Sequence, residues 1–359
     1  MSLNNDKILY LSFNFDNSLF GVGTEIGFKI FTTESLQLKL KRNLGGGIGL
    51  IQILGKSNIF CLCGGGKNPK YSPNKLIIYD DKKTKEINEF RFNSNIQNCK
   101  IKQEKIFIIS QNEISIINIK TFPYEIIETI KTCENIYGAC SIAKDPENYL
   151  FAWPDTNIGY IELKIFSNEN ELIGNDDIQK YHHIKAHENT IEIIEINFNG
   201  TKFSSASDKG TIIRIFNIKD DTVIHELRRG TEQAIIYNIS FDLNDTLLVV
   251  SSNRPTVHLF ALIDKNDPNK GNKELKNKKS MFNGISKILG VGKILQSEWS
   301  FTQIKVPSDY KSIVSIFSKD NKIVFVNYQG KYISAVYSIN SDSSVECKIT
   351  KNVSIFKVS

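Results

Sequence analysis

Residues 186–227 read AHENTIEIIEINFNGTKFSSASDKGTIIRIFNIKDDTVIHEL, and no other stretch shows the architecture of the chain so clearly. A histidine precedes the first strand-like run, an Asn-Gly turn follows that run, and a strand of small residues then leads to an Asp-Lys-Gly turn. Short β-branched and aromatic runs separated by Gly, Asn and Asp are typical of antiparallel strands joined by hairpins. The stretch therefore predicts one antiparallel β unit, with a period of roughly 40–50 residues that is typical of propeller blades.

Similar units recur along the chain. The pattern is repeated at 235–262, IIYNISFDLNDTLLVVSSNRPTVHLFAL, and more faintly at 8–33. Seven such units fit a length of 359 residues, with one long insertion to spare at about 264–298. The sequence therefore predicts an all-β, seven-bladed β-propeller of the WD40-like type, a single domain over 1–359 with a long loop in blade six. A β-sandwich or several small β domains are the alternatives, and no linker-like break supports the second.

Composition narrows the class of protein. The net charge of +6 is mild, so it gives no reason to expect a nucleic-acid partner. Six cysteines without a Cys-x-x-Cys pair indicate small buried hydrophobes in a reducing compartment. No signal-peptide pattern opens the chain, and no run of about 18 apolar residues could span a bilayer. We expect a cytoplasmic protein, and we expect it to be a monomer.

Three stretches approach known cofactor- or metal-binding motifs, but none of them has the spacing or the setting that its motif requires. Residues 21–27, GVGTEIG, miss the dinucleotide fingerprint by one residue, and Gly55-Lys56-Ser57 has Leu50 where the first glycine of a phosphate loop should stand. His183 and His187 have a helical metal-ligand spacing but lie at a loop entering a strand. No catalytic constellation can be singled out. The expectation is a non-enzymatic protein without metal or cofactor.

Two adjacent arginines stand out within the run VIHELRRG. Successive side chains of a strand point to opposite faces, so Arg228 and Arg229 should look into different sites, and Gly230 would let the chain turn just beyond them. Arginine is the side chain that best grips phosphate or carboxylate at two points. The pair therefore suggests two anion sites, one on each side of a strand.

Each arginine has small polar neighbours in the adjoining hairpins. They supply hydroxyls, histidines and turn amides, which are the donors of a phosphate site. WD-type blades also use such residues for internal hydrogen bonds, and composition does not separate these two readings. The upstream set comprises His187, Ser205, Ser207, Gly210, Thr211 and Arg214, and the downstream set comprises Ser252, Thr256 and His258.

Together these residues resemble the PROPPIN family, the WIPI-type seven-bladed propellers of autophagy that bind phosphoinositides. The family hallmark is Phe/Leu-Arg-Arg-Gly at the junction of blades five and six, and Leu227 to Gly230 match it. The segments SASDKGTIIRIF, SSNRPTVHLF and WSFTQIKVP fit the same family, and GGGKNPKYSPNKLIIYDD is closest to its WIPI3/WIPI4-like subgroup. The resemblance covers nearly the whole chain.

The resemblance implies a lipid effector and assigns its residues. Phosphatidylinositol 3-phosphate and the 3,5-bisphosphate would bind two sites on the rim and bring the protein to preautophagosomal, endosomal or vacuolar membranes. An autophagy lipid-transfer protein or related machinery would be the protein partner, contacted through Asn14 and Asp16. The first lipid site would use the upstream set with Arg228, and the second would use Arg229, Gly230 and the downstream set.

The 264–298 insertion matches the family's membrane-inserting loop. Its first half is polar and lysine-rich and is expected to be flexible, whereas its second half, SMFNGISKILGVGKIL, carries a short amphipathic-helix pattern weakened by glycines. The residues expected to enter the membrane are Phe282, Ile285, Ile288 and Leu289. The alternative function is a WD40-type protein–protein scaffold that does not bind lipid.

Overall fold

The computed structural model describes residues 7–146, 148–165, 182–262, 275–278, 297–307, 310–340 and 345–358. These residues form 29 β-strands and two 3-10 turns, Ser318–Asp320 and Ile355–Lys357, and no α-helix occurs among them. None of their segments is a helix long and apolar enough to cross a bilayer. The strands make seven separate sheets in chain order, so the prediction of a seven-bladed β-propeller is confirmed.

The first four sheets are four-stranded meanders in which consecutive strands pair. Blade one comprises β1 (Ile8–Phe13), β2 (Leu19–Thr24), β3 (Gly27–Thr32) and β4 (Leu38–Asn43). Blade two comprises β5 (Ile48–Ile53), β6 (Ile59–Gly64), β7 (Lys75–Asp80) and β8 (Lys85–Arg91). Blade three comprises β9 (Asn98–Lys102), β10 (Lys105–Ile109), β11 (Glu113–Asn118) and β12 (Glu125–Lys131). Blade four comprises β13 (Ser141–Ile142), β14 (Leu150–Pro154), β15 (Tyr160–Ile165) and β16 (His182–Lys185).

The remaining sheets depart from this plan at one point, because blade five has a fifth strand. Blade five comprises β17 (Ile191–Ile196), β18 (Lys202–Ser207), β19 (Ile212–Asn217), β20 (Val223–Arg228) and the distant β24 (Glu298–Trp299). Blade six comprises β21 (Ile236–Phe241), β22 (Leu247–Ser252), β23 (Thr256–Ala261) and β25 (Thr302–Lys305). Blade seven comprises β26 (Ser312–Phe317), β27 (Lys322–Asn327), β28 (Lys331–Ile339) and β29 (Val345–Ser354).

Burial along the strands follows their place in the blade. All six residues of β22 are buried, because a strand in the middle of a blade packs on both faces. The fourth strand β4, LKLKRN, instead alternates between half-buried and exposed residues, as a strand with one solvated face does. This difference explains why the middle strands read as continuous apolar runs.

By contact, the chain divides into two compact units. The first is Met1–Ala139 with Val324–Ile333 and Lys351–Ser359, and the second is Cys140–Ile323 with Ser334–Thr350. Within the first unit, buried Ile51 and Phe28 join blades one and two. Within the second, Leu227 and Ile213 of blade five pack with Leu248 of blade six. Both arginines of the Leu-Arg-Arg-Gly motif belong to this second unit.

The insertion interrupts blade six between β23 and β25. Residues 275–278 and 297–299 are described, and Glu298–Trp299 pair in parallel with Leu227 and Arg228 of β20. The four residues predicted to enter a membrane, Phe282, Ile285, Ile288 and Leu289, lie outside the described residues.

Candidate anion-binding site

Arg228 and Arg229 are both almost completely buried, with 6% of their surfaces exposed. Arg228 Nε donates to Ser297 Oγ at 2.9 Å, whereas Arg229 Nε donates to the Gly210 carbonyl at 3.1 Å and Nη2 to the Glu232 carbonyl. Neither arginine forms an ion pair with a carboxylate of the described residues. A buried charge is costly without an opposite charge. Among the described residues, each guanidinium group therefore lies near a glutamate charge, that of Glu226 or Glu232, but is not directly bonded to a carboxylate.

The first anion cluster forms on one face of blade five. Across the paired strands, Ser205 lies opposite Arg214, and Arg214 lies opposite Glu226. Arg228 follows Glu226 by two residues, so it projects from the same face of the sheet. His187 joins this face because its Nε2 lies 2.9 Å from Ser205 Oγ. We define the first anion cluster as His187, Ser205, Ser207, Arg214, Glu226 and Arg228.

Charges within the first cluster are partly compensated. Arg214 Nε and Nη2 each lie 3.1 Å from Glu226 Oε2, and Nη1 donates to the Ala186 carbonyl at 2.8 Å. Burial, followed by the nearby charge of Arg214, lowers the pKa of His187 to about 3. The imidazole is therefore neutral at physiological pH, so Arg214 and Arg228 carry the positive charge of this cluster.

The second anion cluster lies on blade six. The hydroxyls of Thr256 and Ser300 lie 3.1 Å from Nε2 and Nδ1 of His258, respectively. Burial and then the positive charge of Arg229 lower the pKa of His258 to about 4. Ser252 Oγ accepts a hydrogen bond from the Arg254 amide at 3.3 Å. We define the second anion cluster as Arg229, Glu232, Ser252, Arg254, Thr256, His258 and Ser300.

Some residues of these clusters were not predicted. Arg254 adds a second cation beside Arg229, since its charge, after burial, lowers the pKa of Arg229. Arg254 Nη2 pairs with Glu232 Oε2 at 2.9 Å. The sequence could have predicted Arg254, because it lies in the hairpin between Ser252 and Thr256, which were both assigned to the second site. Ser297 and Ser300 carried no such signal, because only the folded chain brings them to residues far away in sequence.

The two glycines predicted to belong to the lipid sites, Gly210 and Gly230, have different steric requirements. Gly210 has a φ of +56°, and a Cβ there would lie 1.7 Å from the Ala234 carbonyl oxygen. Its carbonyl contacts Arg229, and the Thr211 carbonyl accepts from the Arg229 amide at 2.9 Å, although the sequence grouped both residues with Arg228. Gly230 has no left-handed φ, and a Cβ there meets nothing within 4 Å. The turn after the arginines therefore gives no steric reason for a glycine.

The candidate partner-binding residues lie in the β1–β2 turn of the first unit. Asn14 is 2% exposed, and its side chain bonds the Leu19 amide at 2.9 Å and the Gly55 carbonyl at 3.1 Å. Asp16 accepts from the Ser18 amide at 3.0 Å and pairs with Lys56 at 2.9 Å. These bonds give both residues a role in the hairpin, and contact with a partner stays a prediction.

The two histidines with metal-ligand spacing have separate partners. His183 Nε2 lies 2.7 Å from Asp155, whereas His187 bonds Ser205. Across the described ranges no group of three His, Cys, Asp or Glu side chains could hold a metal ion.

Comparison with known proteins identifies the family. The family model PROPPIN matches residues 8–356. The chain is similar to SVP1-like protein 2 of Neurospora crassa, with 32% identity over 253 residues that make up 70% of this chain and 56% of that protein. It is also similar to Autophagy-related protein 18 of Yarrowia lipolytica, with 30% identity over 270 residues, 72% of this chain and 67% of that protein. The chain thus spans little more than half the length of the Neurospora relative.

Solved structures support the fold. Kluyveromyces lactis Hsv2 with a complete loop 6CD superposes with a TM-score of 0.77 and 22% identity, covering 97% of this chain and 99% of that one. At this identity the likeness establishes a shared architecture. The family match over nearly the whole chain, with the Leu-Arg-Arg-Gly motif at the end of β20, establishes that the chain belongs to the PROPPIN family of β-propellers.

Proposed function

We propose that the protein is a phosphoinositide effector that binds phosphatidylinositol 3-phosphate and phosphatidylinositol 3,5-bisphosphate through two rim sites. One headgroup would bind at the first anion cluster and the other at the second. The observation that carries the proposal is the burial of Arg228 and Arg229, each without a carboxylate partner among the described residues. PROPPINs are non-enzymatic lipid-binding propellers, so family membership also confirms the expectation that the chain is not an enzyme.

The chemistry of both clusters suits a phosphomonoester. A phosphate carries about −1.5 to −2 charges and three acceptor oxygens at pH 7. The arginine forks can bind those oxygens at two points, and the hydroxyls and neutral imidazoles of His187 and His258 can add uncharged hydrogen bonds. A bound phosphate would also supply the negative charge that compensates the burial of each guanidinium group.

Two headgroup sites on neighbouring blades would act together on one membrane. Once the first lipid is bound, binding of the second is intramolecular, which raises avidity by about 10²–10⁴-fold where both sites reach the same bilayer. The 264–298 insertion would add a third contact, since it holds eight lysines against four acids and each lysine near an anionic leaflet adds about 1 kcal/mol. Insertion of Phe282, Ile285, Ile288 and Leu289 would strengthen that contact.

The membrane-bound protein would recruit autophagy or membrane-trafficking machinery. The name of the Yarrowia relative, Autophagy-related protein 18, supports this part of the proposal. We propose that the protein acts as a monomer of one propeller domain. It would associate reversibly with preautophagosomal, endosomal or vacuolar membranes and engage a lipid-transfer protein or related partner, with no nucleic acid or cofactor involved.

The test replaces both buried arginines. Arg228→Thr with Arg229→Thr should abolish co-flotation with liposomes that contain either 3-phosphorylated lipid, because each cluster loses its unpaired cation. The matched control is Lys39→Thr with Lys41→Thr, which removes the same charge from exposed positions of β4 and should float normally. Unchanged co-flotation of the double arginine variant would favour the protein–protein scaffold, in which the same hydroxyls and histidines serve only the blades.

The insertion is tested separately. Phe282→Asp with Ile288→Asp should weaken liposome binding while the affinity for a soluble headgroup stays the same, since the apolar residues would contact the bilayer only. Equal loss of both binding activities would show that the segment supports the fold instead.

A further inference from the structure

Both described ends of the insertion are attached to the outer edge of blade five. Trp299 exchanges two backbone hydrogen bonds with Lys278, at 2.8 and 3.0 Å. Glu298 and Trp299 also form β24, which pairs in parallel with Leu227 and Arg228. The chain therefore enters and leaves the insertion beside the strand that carries the first arginine, although the insertion belongs to blade six by sequence order.

Side chains fasten this attachment. Asn277 exchanges hydrogen bonds with the backbone of Ala261 at 2.7 and 2.8 Å, and its Nδ2 also donates to Glu298 Oε2 at 2.7 Å. Glu298 Oε1 lies 3.1 Å from Nδ1 of His225 on β20. Through Asn277 and His225, the carboxylate thus links the end of β23 to β20.

Ser297, the residue before β24, contacts the anion cluster directly. Its hydroxyl accepts from Arg228 Nε at 2.9 Å, and it is 2% exposed. A hydrogen bond to Nε fixes the plane of the guanidinium group, because Nε is the one donor that lies within the side chain and not at its fork. The two Nη groups of Arg228 have no hydrogen-bond or ion-pair partner among the described residues, which leaves the bidentate end of the side chain for an anion.

We propose that the C-terminal end of the insertion, residues 297–299, contributes to the first anion cluster. Ser297 is the positioning residue that orients Arg228 toward the headgroup. This inference rests on the proposed lipid-binding function. It makes the first site dependent on the segment that would touch the bilayer, whereas the second site has its own serine, Ser300, on His258. The same short connection, residues 297–300, thereby supports both clusters.

The experiment measures the affinity for soluble inositol 1,3-bisphosphate by isothermal titration calorimetry, in variants where only one of the two clusters can bind it. In an Arg229→Gln background only the first cluster binds, and there Ser297→Ala should weaken the affinity roughly tenfold, the effect of losing one charge-assisted hydrogen bond. Ser297→Thr keeps the hydroxyl and should restore the affinity to within about twofold. An unchanged affinity of Ser297→Ala in this background overturns the inference.

The reciprocal variants guard against a general structural effect. In an Arg228→Gln background only the second cluster binds, and there Ser297→Ala should change nothing while Ser300→Ala should weaken binding. Equal losses at both clusters would mean that Ser297 supports the blades and does not aim Arg228, which also overturns the inference. If neither single-arginine protein nor the wild type binds the headgroup, the proposed lipid-binding function fails, and this inference fails with it.

Discussion

The two anion clusters contain the same types of residue but differ in how exposed their glutamates are. Each has a buried arginine without a carboxylate partner, a second arginine paired with a glutamate, and a buried histidine bonded to a serine hydroxyl. In the first cluster the glutamate is Glu226, whose side chain is 27% exposed, whereas in the second it is Glu232, whose side chain is 74% exposed. The glutamate of the first cluster thus lies on the sheet and is largely covered, whereas that of the second lies in a loop and is largely exposed.

This difference sets where electrostatic changes should matter. Charges within a partly buried group interact through a lower dielectric and are screened less by salt than exposed charges. Substitutions in the first cluster should therefore have larger effects than the equivalent substitutions in the second. Three pairs of variants follow, beginning with the backbone at Arg229, and the last of them, the two glutamates, compares the two clusters directly.

The largest effect is expected at Gly210. Alanine there must adopt a φ of +56° and place its Cβ 1.7 Å from the Ala234 carbonyl oxygen. Such backbone strain costs about 1–3 kcal/mol before the overlap is counted, so Gly210→Ala should lower the free energy of unfolding by at least about 2 kcal/mol. It should also weaken headgroup binding at Arg229, whose Nε contacts the Gly210 carbonyl.

Gly230→Ala is the matched control, because its added Cβ meets nothing within 4 Å. Urea unfolding should place this variant within about 0.5 kcal/mol of the wild type. Equal stability of the two alanine variants would show that the left-handed conformation of Gly210 is not essential.

The next effect concerns the buried histidines and pH. The pKa of His187 is lowered from 6.5 to about 3, and that of His258 to about 4. The unfolded chain takes up the proton first, so the stability from each neutral imidazole is fully present above pH 6.5 and is lost as the pH falls toward these values. Between pH 7 and pH 5 each histidine should lower the free energy of unfolding by about 2 kcal/mol.

His187→Gln and His258→Gln should each remove that portion of the fall, as measured by urea unfolding at the two pH values. Both histidines are neutral at pH 5, so the two variants should behave alike in this range despite the different clusters. A variant that keeps the full wild-type fall would show that its histidine takes up a proton over the same pH range in the folded protein as in the unfolded chain.

The smallest effect is expected at the glutamates, where the clusters differ most clearly. Glu226→Gln should free Arg214 from its ion pair and raise headgroup affinity at the first cluster about three- to tenfold. Glu232→Gln should change the second by less than about twofold, because exposed ion pairs contribute little. Calorimetry in the Arg229→Gln and Arg228→Gln backgrounds measures each cluster alone, and a larger effect of Glu232 would reverse the ranking.

Much of this molecule was predictable from local sequence. The middle strands of the blades are read from runs such as LLVVSS, because a strand packed on both faces needs apolar or small side chains at every position. The first cluster was predictable in part, since Ser205, Arg214 and Arg228 lie on three consecutive strands whose alternation fixes their common face. The expectation that the ligand is a phosphoinositide came from the resemblance to the PROPPIN family. The family match confirms membership of that family, whereas the WIPI3/WIPI4-like subgroup stays a prediction.

The sequence by itself determined that the chain is a propeller and that Arg228 and Arg229 lie side by side at a strand end. Both follow from short-range patterns: the repeat of apolar runs and turns, and the alternation of side chains along a strand. Only the tertiary structure decided that the arginines are buried without carboxylate partners and that Ser297 bonds Arg228. Those facts depend on contacts between residues 69 positions apart, and periodicity along the chain carries no information about such contacts.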